Sequence, residues 1–84
     1  MSDVHVKVLL FAAVREAVGA AELDLTLGDG ATAATVLDVL CARTPALVPY
    51  VPSLRVAVNG DYVALGAVVG DGDEVAVIPP VAGG

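Results

Sequence analysis

Few groups in this 84-residue chain are equipped to do chemistry. The single histidine, His5, lies in an alternating stretch beside Lys7, so a solvated side chain is expected rather than a general base. Ser53 sits between Pro52 and Leu54 with no histidine near it in sequence and is expected to be a loop serine. A lone cysteine, Cys41, excludes an internal disulfide and a cysteine-based metal cluster. Its place on an apolar helical stripe predicts a buried structural thiol rather than a reactive one. Asp71 and Asp73 flank Gly72, but the remaining ligands of a calcium loop are missing at the required spacing, which leaves a tight turn. The glycine spacing matches neither a phosphate-binding loop nor a dinucleotide fingerprint. With no acid–base pair, nucleophile or metal cluster in view, the reactive group left is the carboxylate of Gly84.

That carboxylate ends the run Pro79-Pro80-Val81-Ala82-Gly83-Gly84. Glycine has no Cβ to block close backbone approach, so Gly83 and Gly84 make a slim tip able to enter a narrow channel. The two prolines fix φ and donate no N–H, which ends ladder pairing and favours an extended exit from a sheet. A projecting tail over residues 79–84, carried by a folded domain over residues 1–78, is therefore the expected organisation. Fraying of a terminus is the plain alternative.

Composition narrows what that domain is. Hydrophobic residues make up 57% and aromatics 4%, so a dense aliphatic core is expected and no large stacking surface for bases. The formal charge of −6 comes from ten acids against Lys7, Arg15, Arg43 and Arg55. Nucleic-acid binding needs clustered cations, so it is not expected. An acidic body would instead favour docking on a basic protein surface, or serve solubility alone. Apolar runs are too short for a membrane span, which needs about 20 residues, and residues 1–4 carry no secretory pattern. A cytoplasmic location is the expectation.

The elements that must position the tail follow from periodicity. Val4 to Phe11 reads as a strand with Val4, Val6, Val8 and Leu10 inward, and His5, Lys7, Leu9 and Phe11 outward. A helical turn over Ala12 to Val18 ends at Gly19. Glu22 to Leu27 alternates strictly, with Leu23, Leu25 and Leu27 toward the core. Thr32 caps a helix from Ala33 to Arg43 whose stripe is Ala33, Val36, Leu37, Leu40 and Cys41. Pro45, Pro49 and Pro52 keep the next stretch irregular. Leu54 to Val58 and Asp61 to Leu65 form a hairpin about Asn59-Gly60, and Gly70 to Asp73 turns into a last strand, Glu74 to Ile78, with Ile78 outward. The fold class is α+β: about five strands covered on one face by one main helix. Periodicity leaves the strand order open between a β-grasp (ubiquitin-like) mixed sheet and a small split sheet.

Phe11, Tyr62 and Ile78 each fall at an element end on the outer face, so one exposed apolar patch at the root of the tail is expected. Such patches mark partner sites, with aromatics as favoured anchors. Alternation gives face and not depth, so burial of Phe11 or Tyr62 in the core is the competing expectation.

Phe11-Ala12-Ala13-Val14-Arg15-Glu16, Val56-Ala57-Val58-Asn59, and Asp71-Gly72-Asp73-Glu74-Val75-Ala76 running into Pro79-Pro80-Val81-Ala82-Gly83-Gly84 together resemble the small subunit of molybdopterin synthase. The resemblance runs through nearly the whole chain in order; Pro45 to Ser53 contributes little. It implies the β-grasp fold and a sulfur carrier of molybdenum cofactor biosynthesis. In that family an E1-like enzyme adenylates the terminal glycine with ATP, and a sulfurtransferase supplies the sulfur of a thiocarboxylate. The large synthase subunit receives the tail and passes the sulfur to cyclic pyranopterin monophosphate. Carried over, Gly84 bears the sulfur, while Ala82 and Gly83 thread the channel behind Pro79, Pro80 and Val81. Phe11, Tyr62 and Ile78 match a hydrophobic partner surface, and Arg15 matches a position of polar partner contacts. No permanently bound cofactor, metal, nucleic acid or membrane is implied; a heterotetramer with the large subunit is. Ile78 departs from the Phe of many members, keeping apolar contact with less ring area. The rival readings are a carrier for thiamine or amino-acid sulfur, a ubiquitin-like modifier forming isopeptide bonds through Gly84, and an interaction domain without tail chemistry.

Overall fold

The computed structural model describes residues 2–80. Within it, β1 (Asp3–Leu10) leads into a short helix α1 (Ala12–Val18), β2 (Glu22–Gly28) and the main helix α2 (Ala33–Arg43). A run of 3₁₀ turns over Pro45–Ser53 follows, then β3 (Arg55–Val58), β4 (Asp61–Val63) and β5 (Glu74–Ile78). The strands form one sheet in the order β2-β1-β5-β3-β4. β1 and β5 are parallel, and every other neighbouring pair is antiparallel. The strand order is that of a β-grasp sheet, and it closes the choice that periodicity left open.

The period-two pattern does what it predicts on the inner face. Val4, Val6, Val8 and Leu10 are buried against Leu25, Leu27, Val56, Val75 and Val77, and α2 lays Ala33, Val36, Leu37 and Leu40 over them. Burying each such side chain contributes about 1.5–3 kcal/mol, which lets a small domain fold without staples. No polar side chain is buried among the described residues, so the core has no internal hydrogen-bond debt to settle.

Helix α2 starts where Thr32 predicts. The Thr32 hydroxyl accepts from the Thr35 N–H at 3.3 Å, and the Thr35 hydroxyl accepts from the Thr32 N–H at 3.0 Å. The next two orphan donors, Ala33 and Ala34 N–H, reach Ala67 O and Leu65 O, both at 2.9 Å. The loop between β4 and β5 is thereby tied to the helix start, with Thr32 bridging Val68.

Several expectations change. β4 stops at Val63 and not Leu65, because Ala64 to Ala67 turn back toward α2. The stretch from Pro45 to Ser53 is regular: tight turns accommodate its prolines, and Leu47 is buried as its anchor. Cys41 is half-buried, not buried. It lies about 90° around the helix from the centre of the buried stripe, at the stripe's margin. β1 ends at Leu10, one residue short of the expected end, since Phe11 has become the residue before α1.

Candidate functional site

Strand β5, which runs on into the tail, is held by a polar clamp at its far end, the start of the strand. Asn59 and Gly60 both take positive φ, 50° and 90°, the geometry of a tight hairpin turn that matches strand twist. In that position the Asn59 backbone N–H donates to Glu74 O at 2.8 Å, and its side-chain carbonyl accepts from the Glu74 N–H at 3.0 Å. Its Nδ2 donates to Asp73 Oδ1 at 3.0 Å, and Asp73 Oδ2 takes the Gly70 N–H at 2.7 Å. Those bonds, the Gly70 amide first and Asn59 second, hold the Asp73 carboxyl below its ordinary value. On the other side Asp71 Oδ1 accepts the His5 backbone N–H at 2.7 Å and meets the His5 ring at 3.0 Å. The His5 amide chiefly, then its ring, lowers Asp71 as well. Gly72, at φ +85°, returns its N–H to His5 O at 2.7 Å, a conformation open to glycine and costly for other residues. The Asp71-Gly72-Asp73 motif thus fixes β5 between β1 and β3, and with it the point at which Pro79 leaves the sheet. Among the described residues no group of three or more His, Cys, Asp or Glu is placed to hold a metal ion.

The outer face beyond this clamp is apolar. By register Leu9 lies opposite Ala76, Ala76 opposite Ala57 and Ala57 opposite Tyr62. One step toward the tail, Ile78 lies opposite Arg55. Tyr62 is 70% exposed, Phe11 44% exposed and Ile78 half-buried. Tyr62 and Ile78 share the outer face by register, Phe11 is exposed just past the end of β1 and does not line the groove between β5 and the β3–β4 hairpin, and neither aromatic joins the core. Phe11 reaches the surface through an abrupt junction. It is extended (φ −126°), Ala12 is left-handed at φ +49°, and the Phe11 carbonyl accepts from Val14 and Arg15 N–H at 3.1 and 3.3 Å. A left-handed alanine costs about 1–2 kcal/mol, so the chain holds strain where it presents the ring. Arg15 lies four residues further on, within α1, and is exposed.

Between the end of β5 and the β3–β4 hairpin runs an open groove of ≈ 760 Å³, lined by Arg55, Tyr62, Leu65, Ile78, Pro79 and Pro80 among others. It joins Tyr62 and Ile78 to the tail root. Pro79 is half-buried there and Pro80 exposed. Val81, Ala82, Gly83 and Gly84, the channel-threading and sulfur-bearing positions, lie outside the described residues. Arg55 was not among the sequence-derived site residues, yet it stands on the patch itself; the alternation that turns Ala57 outward also turns Arg55 outward. Asn59 and His5 also carry more than the sequence reading assigned them, as the hydrogen-bonding partners of Asp73 and Asp71.

Residues 8–84 match the ThiS family. The molybdopterin synthase sulfur carrier subunit of Arabidopsis thaliana is 40% identical over 83 residues, covering 99% of this chain and 86% of that one. The crystal structure of SAMP1 from Haloferax volcanii superposes with a TM-score of 0.85 at 33% identity, over 95% of this chain and 99% of the other. The fold is shared too with the complex of subunits 1 and 2 of the molybdopterin-converting factor from Helicobacter pylori, at a TM-score of 0.62 and 21% identity, covering 95% of this chain and 99% of that one.

Proposed function

Because the chain belongs to the ThiS family, we propose that it is the sulfur-carrier subunit of a molybdopterin synthase, working through the carboxylate of Gly84. The observation that carries this reading is the 40% identity to a carrier subunit of that name across almost the whole chain. The outer face supports it: the described residues present Tyr62, Leu65 and Ile78 in an apolar groove beside Pro79 and Pro80.

The chemistry asks little of the domain itself. A carboxylate is a poor electrophile until one oxygen is made a good leaving group. Attack of the Gly84 carboxylate on ATP, catalysed by an E1-like enzyme, releases pyrophosphate and leaves an acyl adenylate. The terminal sulfur of a sulfurtransferase persulfide then attacks the acyl carbon with loss of AMP, and a thiol reductant cleaves the acyl disulfide so formed to leave the thiocarboxylate. The large synthase subunit takes the tail into its active site, where the sulfur passes to cyclic pyranopterin monophosphate and water, cleaving the acyl–sulfur bond, restores the carboxylate. The domain's part is to hold Pro79 and Pro80 at a fixed exit and to offer Phe11, Arg15, Tyr62 and Ile78 to whichever protein receives the tail. Val81, Ala82 and Gly83 then form the slender stem behind Gly84. ATP is the activating enzyme's substrate, and the carrier keeps no cofactor of its own. Assembly is a heterotetramer with two large subunits, in the cytoplasm.

The test is the intact mass of the chain after incubation with ATP, the activating enzyme and a sulfur source, beside a chain lacking Gly84. The carrier gains the difference between sulfur and oxygen and the truncated chain does not. No gain with an enzyme shown to be active rejects the reading. A second reading rests on the likeness to SAMP1, a small archaeal modifier protein: Gly84 would then form an isopeptide bond with lysines of other proteins. An ATP-dependent ladder of higher-mass conjugates that disappears on deletion of Gly84 would favour it.

A further inference from the structure

We propose that Arg55 selects the segment that docks in the tail-root groove, by pairing with a carboxylate that this segment places beside an apolar side chain. The inference rests on the carrier reading, since the segment is taken to belong to the large subunit that receives the tail.

Register places Arg55 at the tail-side end of the patch. It is directly opposite Ile78 on β5, and two residues from Ala57, whose partner on β4 is Tyr62. On one face of a sheet such positions are direct and diagonal neighbours, close enough for long side chains to interact. Arg55 is thus flanked by Ile78 and Tyr62, two of the residues that a partner would cover.

The charge pattern there reverses that of the rest of the chain. Ten acids and four basic residues give the protein its charge of −6, yet among the described residues no acid lines the groove, and Arg55 is the only charged one that does. Among the described residues the ion pair is His5 with Asp71, and no Asp or Glu side chain of residues 2–80 pairs with Arg55. While the face is open, water solvates the guanidinium. Once an apolar surface covers Ile78 and Tyr62, that water is displaced, and a covered cation without a partner is strongly destabilising. A carboxylate meets the need best, because it accepts two parallel N–H bonds from the planar guanidinium. An all-apolar or basic segment is penalised at this point, so Arg55 acts as a filter as well as an attraction. The acidic body draws basic surfaces at long range, whereas this one position asks for an acid. That combination fixes the orientation of docking beyond what net charge alone does. Pro79 and Pro80 line the same groove, so a segment seated there lies against the exit of the tail.

The experiment measures affinity for the large synthase subunit of the same organism by titration calorimetry, at low and high salt. It uses the full chain and the variants Arg55→Gln, Arg55→Glu, Arg55→Lys and Tyr62→Ala, with thermal unfolding of each. We expect Arg55→Gln to weaken binding at least ~10-fold and Arg55→Glu about 100-fold, with Arg55→Lys intermediate, and unfolding midpoints near that of the parent. If Arg55→Gln and Arg55→Glu bind within about 2-fold of the parent while Tyr62→Ala binds weakly, the proposal is wrong and the carrier reading stands. Tighter binding by Arg55→Glu also overturns it, by revealing a basic group opposite. Should the parent chain itself fail to bind, the assignment of the large subunit as partner fails, and the proposal with it.

Discussion

The two faces of the sheet use different chemistry. Inward, every buried strand position on β1, β2 and β5 is Val or Leu, and α2 closes over them with Ala, Val and Leu. Outward, the tail-side half carries Leu9, Ala57, Ala76, Ile78, Tyr62 and Arg55; Ala57 is buried among its neighbours, Leu9, Ala76 and Ile78 are half-buried, and Tyr62 and Arg55 are exposed, as is Phe11 at the end of β1. Even the third aromatic, Tyr50 in the 3₁₀ segment, is exposed. A chain with three aromatic residues that buries none of them obtains its stability from aliphatic packing alone. Its rings are left to recognition, where large rigid surfaces bind at small entropic cost. Stability and partner binding should therefore separate by face.

The sharpest way to break that separation is from the inside. Leu10 is fully buried at the end of β1, next to the Phe11 junction. Leu10→Ala should cost about 2–5 kcal/mol through lost burial and the cavity left behind. Urea unfolding should show a lower midpoint at unchanged slope, and the thermal midpoint should fall by roughly 4–8 °C per kcal/mol. Residual folded protein should still bind its partner. A variant that unfolds no more easily than the parent would mean that the inner face does not dominate stability.

From the outside the expectation is reversed. Tyr62→Ala removes a ring that is mostly in water, so unfolding should shift by no more than about 0.5 kcal/mol. Affinity for the large subunit should fall by about 2 kcal/mol, near 30-fold, if the ring is an anchor. Phe11→Ala should show a smaller split, because Phe11 is more covered and holds the strained turn into α1. Equal losses of stability and affinity at Tyr62 would erase the distinction between the faces.

The faces were legible in the sequence to different depths. Alternation in Val4 to Leu10 and Glu22 to Leu27, the Thr32 cap and the Asn59-Gly60 turn are local signals, and local hydrogen bonding and side-chain direction suffice to produce them. The placing of β5 between β1 and β3 is not local; it came from resemblance to a family, and the register now shows it. The clamp was missed for the same reason. His5 and Asp71 are 66 residues apart, and Asn59 and Asp73 are 14 apart, so neither partner announces the other. Depth was equally hidden: Cys41 stands at the margin of the stripe, and how far a marginal position is covered depends on what packs beside α2. Arg55 lay within a strand correctly read and was still overlooked, because its meaning depends on the two neighbours that register supplies.

The clamp sets a third test, on the boundary between the faces. Asn59→Ala removes both side-chain bonds, to Glu74 N–H and Asp73, and leaves an alanine at φ +50°. Together these should cost about 1–2 kcal/mol, chiefly as faster amide exchange along β5. Asn59→Gly relieves the backbone while still losing the bonds, so it should lie between the alanine variant and the parent. If both variants match the parent, the side-chain bonds do not hold β5.

The smallest effect is that of pH on the same turn. Asp71 and Asp73 are both held below the ordinary carboxylate value of 3.8 by N–H donors, the His5 and Gly70 amides first. A carboxyl with a depressed native pKa binds protons more weakly folded than unfolded. Its contribution is therefore complete above the unfolded value and is lost as pH falls through the native values below 3.8. Both groups are solvent-exposed, which screens the effect. Unfolding free energy should be flat from neutral pH down to about pH 5 and decline below it, with a shallower decline in Asp71→Asn. Among the described residues no carboxylate is buried on the inner face, so the acid limb should belong to surface carboxylates, the turn among them. A variant Asp71→Asn with an unaltered acid limb would show that the His5 contact, though short, does not stabilise the fold.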